Sequence, residues 1–220
     1  YTISDRTIAS ACKTDPEWVF RTEVLCQWND GATSGPFAPG AWKATTVPTE
    51  KDDSGRPRIT NPTRDRINGH VVAGIAQNSD RGRTSIALAG YRPDGLPQVE
   101  IVTTRAGSEW VGEWLSSEDR KGRILAVTGQ SKGTPESTVL KKLAGDAKFR
   151  MPVVDLSGDK LLDAYADADD AIREERVWHP PWPELDLAAA TAEWKIVAGG
   201  ARLLDQGKSP TDITMLRAWV

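Results

Sequence analysis

The chain has 220 residues, 39% of them hydrophobic and 27% charged, the balance of a soluble globular protein with room for one good-sized domain and an appendage. A formal net charge of −3 excludes a general electrostatic pull toward nucleic acid or an anionic membrane, so any DNA contact has to come from a local patch. No apolar run approaches the roughly 18 residues of a membrane span, and there is no signal peptide.

The sequence starts at Tyr1 without a methionine and reads as a fragment or a processed product. Cys12 and Cys26 suit a reduced intracellular protein better than a disulfide scaffold, and their spacing alone decides for neither a bridge nor a zinc site. Asp15-Pro16-Glu17 is a helix start, with Asp as cap and Pro at the first helical position, and Trp18, Val19, Leu25 and Trp28 can form its apolar stripe. Residues 31–62 are rich in Gly, Pro, Ser and Asp and keep no period, which predicts an extended connecting segment.

From Gly69 the pattern becomes regular. Strands are expected at 71–77, 84–91 and 98–104, the first two joined by the polar, glycine-containing turn at Asp80, Arg81 and Gly82. A short helix follows at 108–115, with Trp110, Val111 and Trp114 on one face. RILAVT (123–128) reads as a buried strand, Thr134 as the cap of a helix to Leu143, and 151–156 as another strand. A long helix runs from 157 to about 176, carrying Leu161, Leu162, Tyr165 and Ile172. After it come a helix at 184–194, a hairpin in IVAGGARLLDQ and a last helix beginning near Thr211-Asp212. Three hairpin-linked strands followed by alternating helices and strands make an α/β fold, a ribonuclease H-like mixed sheet flanked by helices and preceded by an irregular linker with a short helix.

The motifs exclude several chemistries. There is no GxxxxGK[ST] phosphate loop and no GxGxxG after a strand. His70 and His179 are too few and too isolated for a zinc or Ser/His/Asp centre, and His179, ahead of Pro180-Pro181, reads as structural. Asp212 stands at the start of the apolar helix containing Ile213, Met215, Leu216 and Trp219. Such an Asp can cap the helix, or it can be a metal ligand that meets other carboxylates at the strand ends and binds two divalent ions about 4 Å apart. Arg81, Arg83, Lys121, Arg123 and Lys132 are the candidates for sequence-independent phosphate contacts. The pair Lys141-Lys142 is a further basic site, and the nine Trp read as packing residues rather than base-stacking platforms.

Several segments carry a resemblance: FRTEVLCQW (20–28), GIAQNSDRGRTSIALAG (74–90), the run MPVVDLSGDKLLDAYADADDAIREERVWHPPWPELDLAAATAEW (151–194) and the closing SPTDITMLRAWV. In order and spacing they resemble the large subunits of tailed-phage terminases, with phages of actinobacteria the nearest type. The resemblance implies an N-terminal ATPase ahead of this chain, residues 1–66 as the connection and 67–220 as a ribonuclease H-like nuclease domain. It implies an endonuclease that uses Mg²⁺ or Mn²⁺ to cut concatemeric double-stranded DNA in the host cytoplasm during virion assembly. The portal and the small terminase subunit become implied partners, and a ring is expected only of the full motor, the fragment being a monomer. The family's first-strand Asp falls on Ala76, and its second acid falls near Thr128, in a stretch (123–135) without Asp or Glu. The third matches Asp212, and Asp80, a residue type that turns also favour, is the nearest substitute on the first hairpin. Asp155, at a strand end, is another candidate. An alternative therefore stands beside the nuclease: a catalytically silent module of the same fold that binds DNA or the packaging motor.

Overall fold

The computed structural model describes residues 35–55 and 57–220. A short helix, α1 (Ala41–Ala44), precedes a small antiparallel hairpin of β1 (Thr49–Lys51) and β2 (Pro57–Ile59). The main sheet then begins with β3 (Val71–Gln77), β4 (Arg83–Tyr91) and β5 (Pro97–Ala106). Next come α2 (Val111–Ser116), β6 (Ile124–Gln130), α3 (Glu136–Gly145) and β7 (Val153–Leu156). The chain closes with α4 (Asp159–Arg173), α5 (Pro183–Thr191), the hairpin β8 (Trp194–Ile196) and β9 (Arg202–Leu204), and α6 (Thr214–Trp219).

The main sheet has the order β5-β4-β3-β6-β7. β3, β4 and β5 run antiparallel through tight connections, while β6 and β7 add in parallel, β6 beside β3 and β7 beside β6. Alternation along β3 sends its side chains to opposite layers. Val71, Ala73 and Ile75 join Ile86 and Val127 beneath α2 and α3, whose Val111, Leu115, Val139 and Leu140 complete that core. Ala76, Ala87 and Ile101 face the other layer, built from Leu161, Tyr165 and Ile172 of α4, Leu185 of α5 and Leu216 and Trp219 of α6. Gly74 lets α6 approach the sheet: a Cβ there would stand 2.4 Å from the Ala218 carbonyl oxygen.

From Gly69 onward the expected strands and helices are all present, with ends shifted by a few residues. One capping assignment differs. Thr134 does not cap α3; its hydroxyl donates backward to the Gln130 carbonyl at 2.9 Å and closes the turn after β6. The stretch read as an extended connection is packed where it is described: Phe37 and Val47 are buried, and Val47 donates to the His179 carbonyl at 2.8 Å. The helix expected around residues 15–28, both cysteines and the segment 20–28 lie outside the described residues.

His179 is fully buried, stacked on Trp42 with ring centroids 4.0 Å apart, its ring nitrogens against the carbonyls of Trp42 and Pro180. Burial holds its pKa below the ordinary 6.5, against the pull of those carbonyls. The unfolded chain therefore takes up a proton that the folded chain resists, so stability falls as pH drops from 6.5 toward the folded value. Thermal melts between neutral and mildly acid pH should show this fall, and His179→Gln should flatten it. An equal slope in the variant would assign the acid sensitivity to other groups.

Candidate functional site

β3 and β6 are parallel, with Gly74 opposite Thr128, so their C-terminal ends lie side by side. That is where the resemblance looks for carboxylates. Ala76 is 1% exposed, pairs across the hairpin with Ser85 and packs in the layer that contains α6. Thr128 has no acid to offer; its hydroxyl donates to the Val154 carbonyl at 3.3 Å. Asp155 sits on β7 opposite Gly129, where the hydroxyls of Ser131 and Ser157 donate to its carboxylate; the Ser131 bond above all holds its pKa low.

The two acids proposed as ligands have local work. Asp80 accepts the Gly82 N–H at 2.8 Å and shapes the β3–β4 turn, in which Arg81 takes a positive φ of 61°. Asp212 accepts the Thr214 N–H at 2.9 Å just ahead of α6 and also the Thr214 hydroxyl. Its other oxygen faces Arg83 at 3.5 Å, and Arg83 reaches Glu184 at the same distance. These are half-exposed contacts worth little individually, but they join the hairpin to the starts of α5 and α6.

The buried ion pair that occupies the strand end involves none of the candidate site residues. Glu136, in the first turn of α3, is 1% exposed and Arg217 of α6 is 4% exposed by side chain; the two form a salt bridge. Arg217 also donates to the Gln77 carbonyl at 3.1 Å and to Gln206 Oε1 at 2.9 Å. The Gln77 N–H in turn donates to Glu136 Oε2 at 3.3 Å, and the Gln77 side-chain amide donates to Thr84 at 3.1 Å. One signal was legible: Arg217 interrupts a run of residues that are otherwise buried from Ile213 to Trp219, and a cation in such a run needs a partner. Glu136 resembled an ordinary first-turn acid.

The basic candidates divide between the two ends of the sheet. Arg81, Arg83 and Lys132 belong to the end that holds Ala76 and Asp212. Lys121 and Arg123 precede β6 at the opposite end, where the Arg123 carbonyl accepts the Val71 N–H and Lys121 pairs with Glu118.

A mixed sheet of three antiparallel strands extended by two parallel ones, with helices on both faces, is a ribonuclease H-like fold. Among solved structures it is that of phage large terminase nucleases. The nuclease from thermophilic phage G20c with bound magnesium matches at a TM-score of 0.53 and 10% identity, over 86% of this chain and 95% of that one. The same nuclease with bound cobalt matches at 0.54 and 9% identity, with the same coverage. The HK97 bacteriophage large terminase matches at 0.54 and 15% identity over 98% of this chain, which spans 49% of that protein. No protein-family model matches the sequence, and no curated protein is similar to it. What the likeness establishes is the fold.

The neighbours' ions raise the question of whether a divalent metal fits this site. Among the described residues no group of three or more His, Cys, Asp or Glu gathers as ligands. At the strand end the positions where the resemblance expects acids hold a methyl group and a hydroxyl, and the buried carboxylate of Glu136 is already paired with a cation. The described residues at this strand end do not fit the metal.

Proposed function

We propose that this chain is the ribonuclease H-like domain of a viral DNA-packaging terminase large subunit, residues 67–220 forming the domain and 1–66 the connection to an ATPase. In this reading it engages double-stranded viral DNA in the host cytoplasm without cutting it. The observation that carries the second half is Ala76: where the strand end calls for a carboxylate, a fully buried methyl group sits in the core. Phosphate contact falls to Arg81, Arg83 and Lys132, with the portal and the small subunit as the assembly partners of the full motor. No helix among the described residues is long and apolar enough to cross a membrane.

A second reading keeps the cutting activity, with Asp212 and Asp80 as ligands of Mg²⁺ or Mn²⁺. The likeness of fold to a nuclease solved with bound magnesium favours it.

Plasmid cleavage in Mn²⁺ separates the two. The chain as given and Ala76→Asp are both expected to leave the plasmid intact, because the second acid is also missing. If Ala76→Asp cuts and a further Asp212→Ala abolishes the cutting, the site is a nuclease centre disarmed at one position. DNA binding in EDTA should persist and weaken steeply with salt, and Arg81→Ser or Lys132→Ser should each reduce the log–log salt slope by about 1. A salt-independent affinity would remove DNA as the partner.

A further inference from the structure

The carboxylate oxygens of Glu136 and Asp212, beside the end of β3, are engaged. Glu136 Oε1 accepts from Arg217 and Oε2 from the Gln77 N–H. The Gln77 carbonyl and Gln206 Oε1 accept from Arg217. Asp212 accepts from the Thr214 N–H and hydroxyl through one oxygen and faces Arg83 through the other. The buried Tyr165 hydroxyl also faces Arg217.

We infer that this strand end is a self-neutralised centre in which the Arg217 guanidinium is the built-in cation, and that it takes no divalent ion. A planar guanidinium can bond a carboxylate and a main-chain carbonyl at once, which suits it to tie together β3, α3 and the loop before α6. A divalent ion entering here would have to displace Arg217 from Glu136 and Gln77 and would then stand beside a positive charge shielded from water, where repulsion is poorly screened. The inference goes beyond the reading above, which rests on Ala76 and would stand even if Glu136 took a metal. It holds whatever macromolecule the domain engages.

The test is a set of thermal melts in EDTA and in millimolar Mn²⁺, with water-proton relaxation reporting bound Mn²⁺. The unaltered chain is expected to show the same Tm in both and no relaxation enhancement. Arg217→Met orphans the buried Glu136 and should lower Tm in EDTA by about 10 °C. Adding Glu136→Gln should recover at least half of that loss, because no buried charge is then left unpaired. Mn²⁺ should raise the Tm of Arg217→Met alone. Should Arg217→Met fail to fold, Arg217→Lys keeps the charge and should fold while still ignoring Mn²⁺. A rise in the Tm of the unaltered chain with Mn²⁺, lost in Glu136→Gln, would overturn the inference and leave the absence of cutting untouched. A double variant no more stable than Arg217→Met would also overturn it, since the pair would then not be what holds the centre.

Discussion

Gly74→Ala is expected to cost about 3 kcal/mol, the upper part of the range for overpacking a filled core, and to lower Tm by roughly 6–12 °C. The added methyl would stand 2.4 Å from the Ala218 carbonyl oxygen. That obstacle is backbone, so no rotamer change relieves it, and α6 itself has to move. Because α6 carries Arg217, the displacement should also loosen the salt bridge to Glu136, and the two losses should not add independently. Gly112→Ala in α2 is the control: its Cβ would meet only the end of the Leu143 side chain at 3.3 Å, and the helix gains from losing a glycine. Urea unfolding of both variants checks this. A Gly74→Ala chain as stable as Gly112→Ala would mean that α6 is not seated on β3 as described.

Arg92→Met should cost about 3 kcal/mol, the scale set by breaking a buried ion pair from one side. The Arg92 side chain is 5% exposed and lies between Asp65 and Asp94, above the Trp178 ring at 5.2 Å. Without it the fully buried Asp65 keeps, among the described residues, only the cation of Arg64, which is half exposed and 2.6 Å away. Asp65→Asn in the Arg92→Met background should regain part of the loss, because it removes the unpaired charge. A midpoint shift in urea at unchanged m-value would assign the effect to stability alone. The outcome bears on chain organisation too, since this network fastens the residues just before β3 to the β4–β5 connection and to the strand-like bridge at Trp178.

The strands and helices from Gly69 onward were legible because each carries its own period and its own punctuation. VVAGIAQ followed by a polar turn can hardly be other than a hairpin arm, and the spacing of Leu161, Tyr165 and Ile172 marks one face of a helix. The packing of the earlier stretch was not legible. Phe37, Trp42 and Val47 have no period among their glycines and prolines, and what buries them is contact with His179, Trp194 and Trp219, more than 130 positions away for the Thr46–His179 contact. The site divides the same way. Ala76 as the place of an expected acid comes from the resemblance at one position in one strand, whereas the Glu136–Arg217 pair joins residues separated by 81 positions, and only the cation among apolar neighbours hints at it. Asp212 stands two residues ahead of the last helix, and its hydrogen bond to Thr214 and its contact with Arg83 are properties of the folded chain.

The division of basic side chains between the two ends of the sheet sets a length. β3 has seven residues, and a strand of that size spans about 20 Å. In the proposed role, a duplex lying across the hairpin end would meet Arg81, Arg83 and Lys132 and would not reach Lys121 and Arg123. One that touched both ends would have to run along the strands for about six base pairs, so the two orientations differ in footprint before any sequence is read.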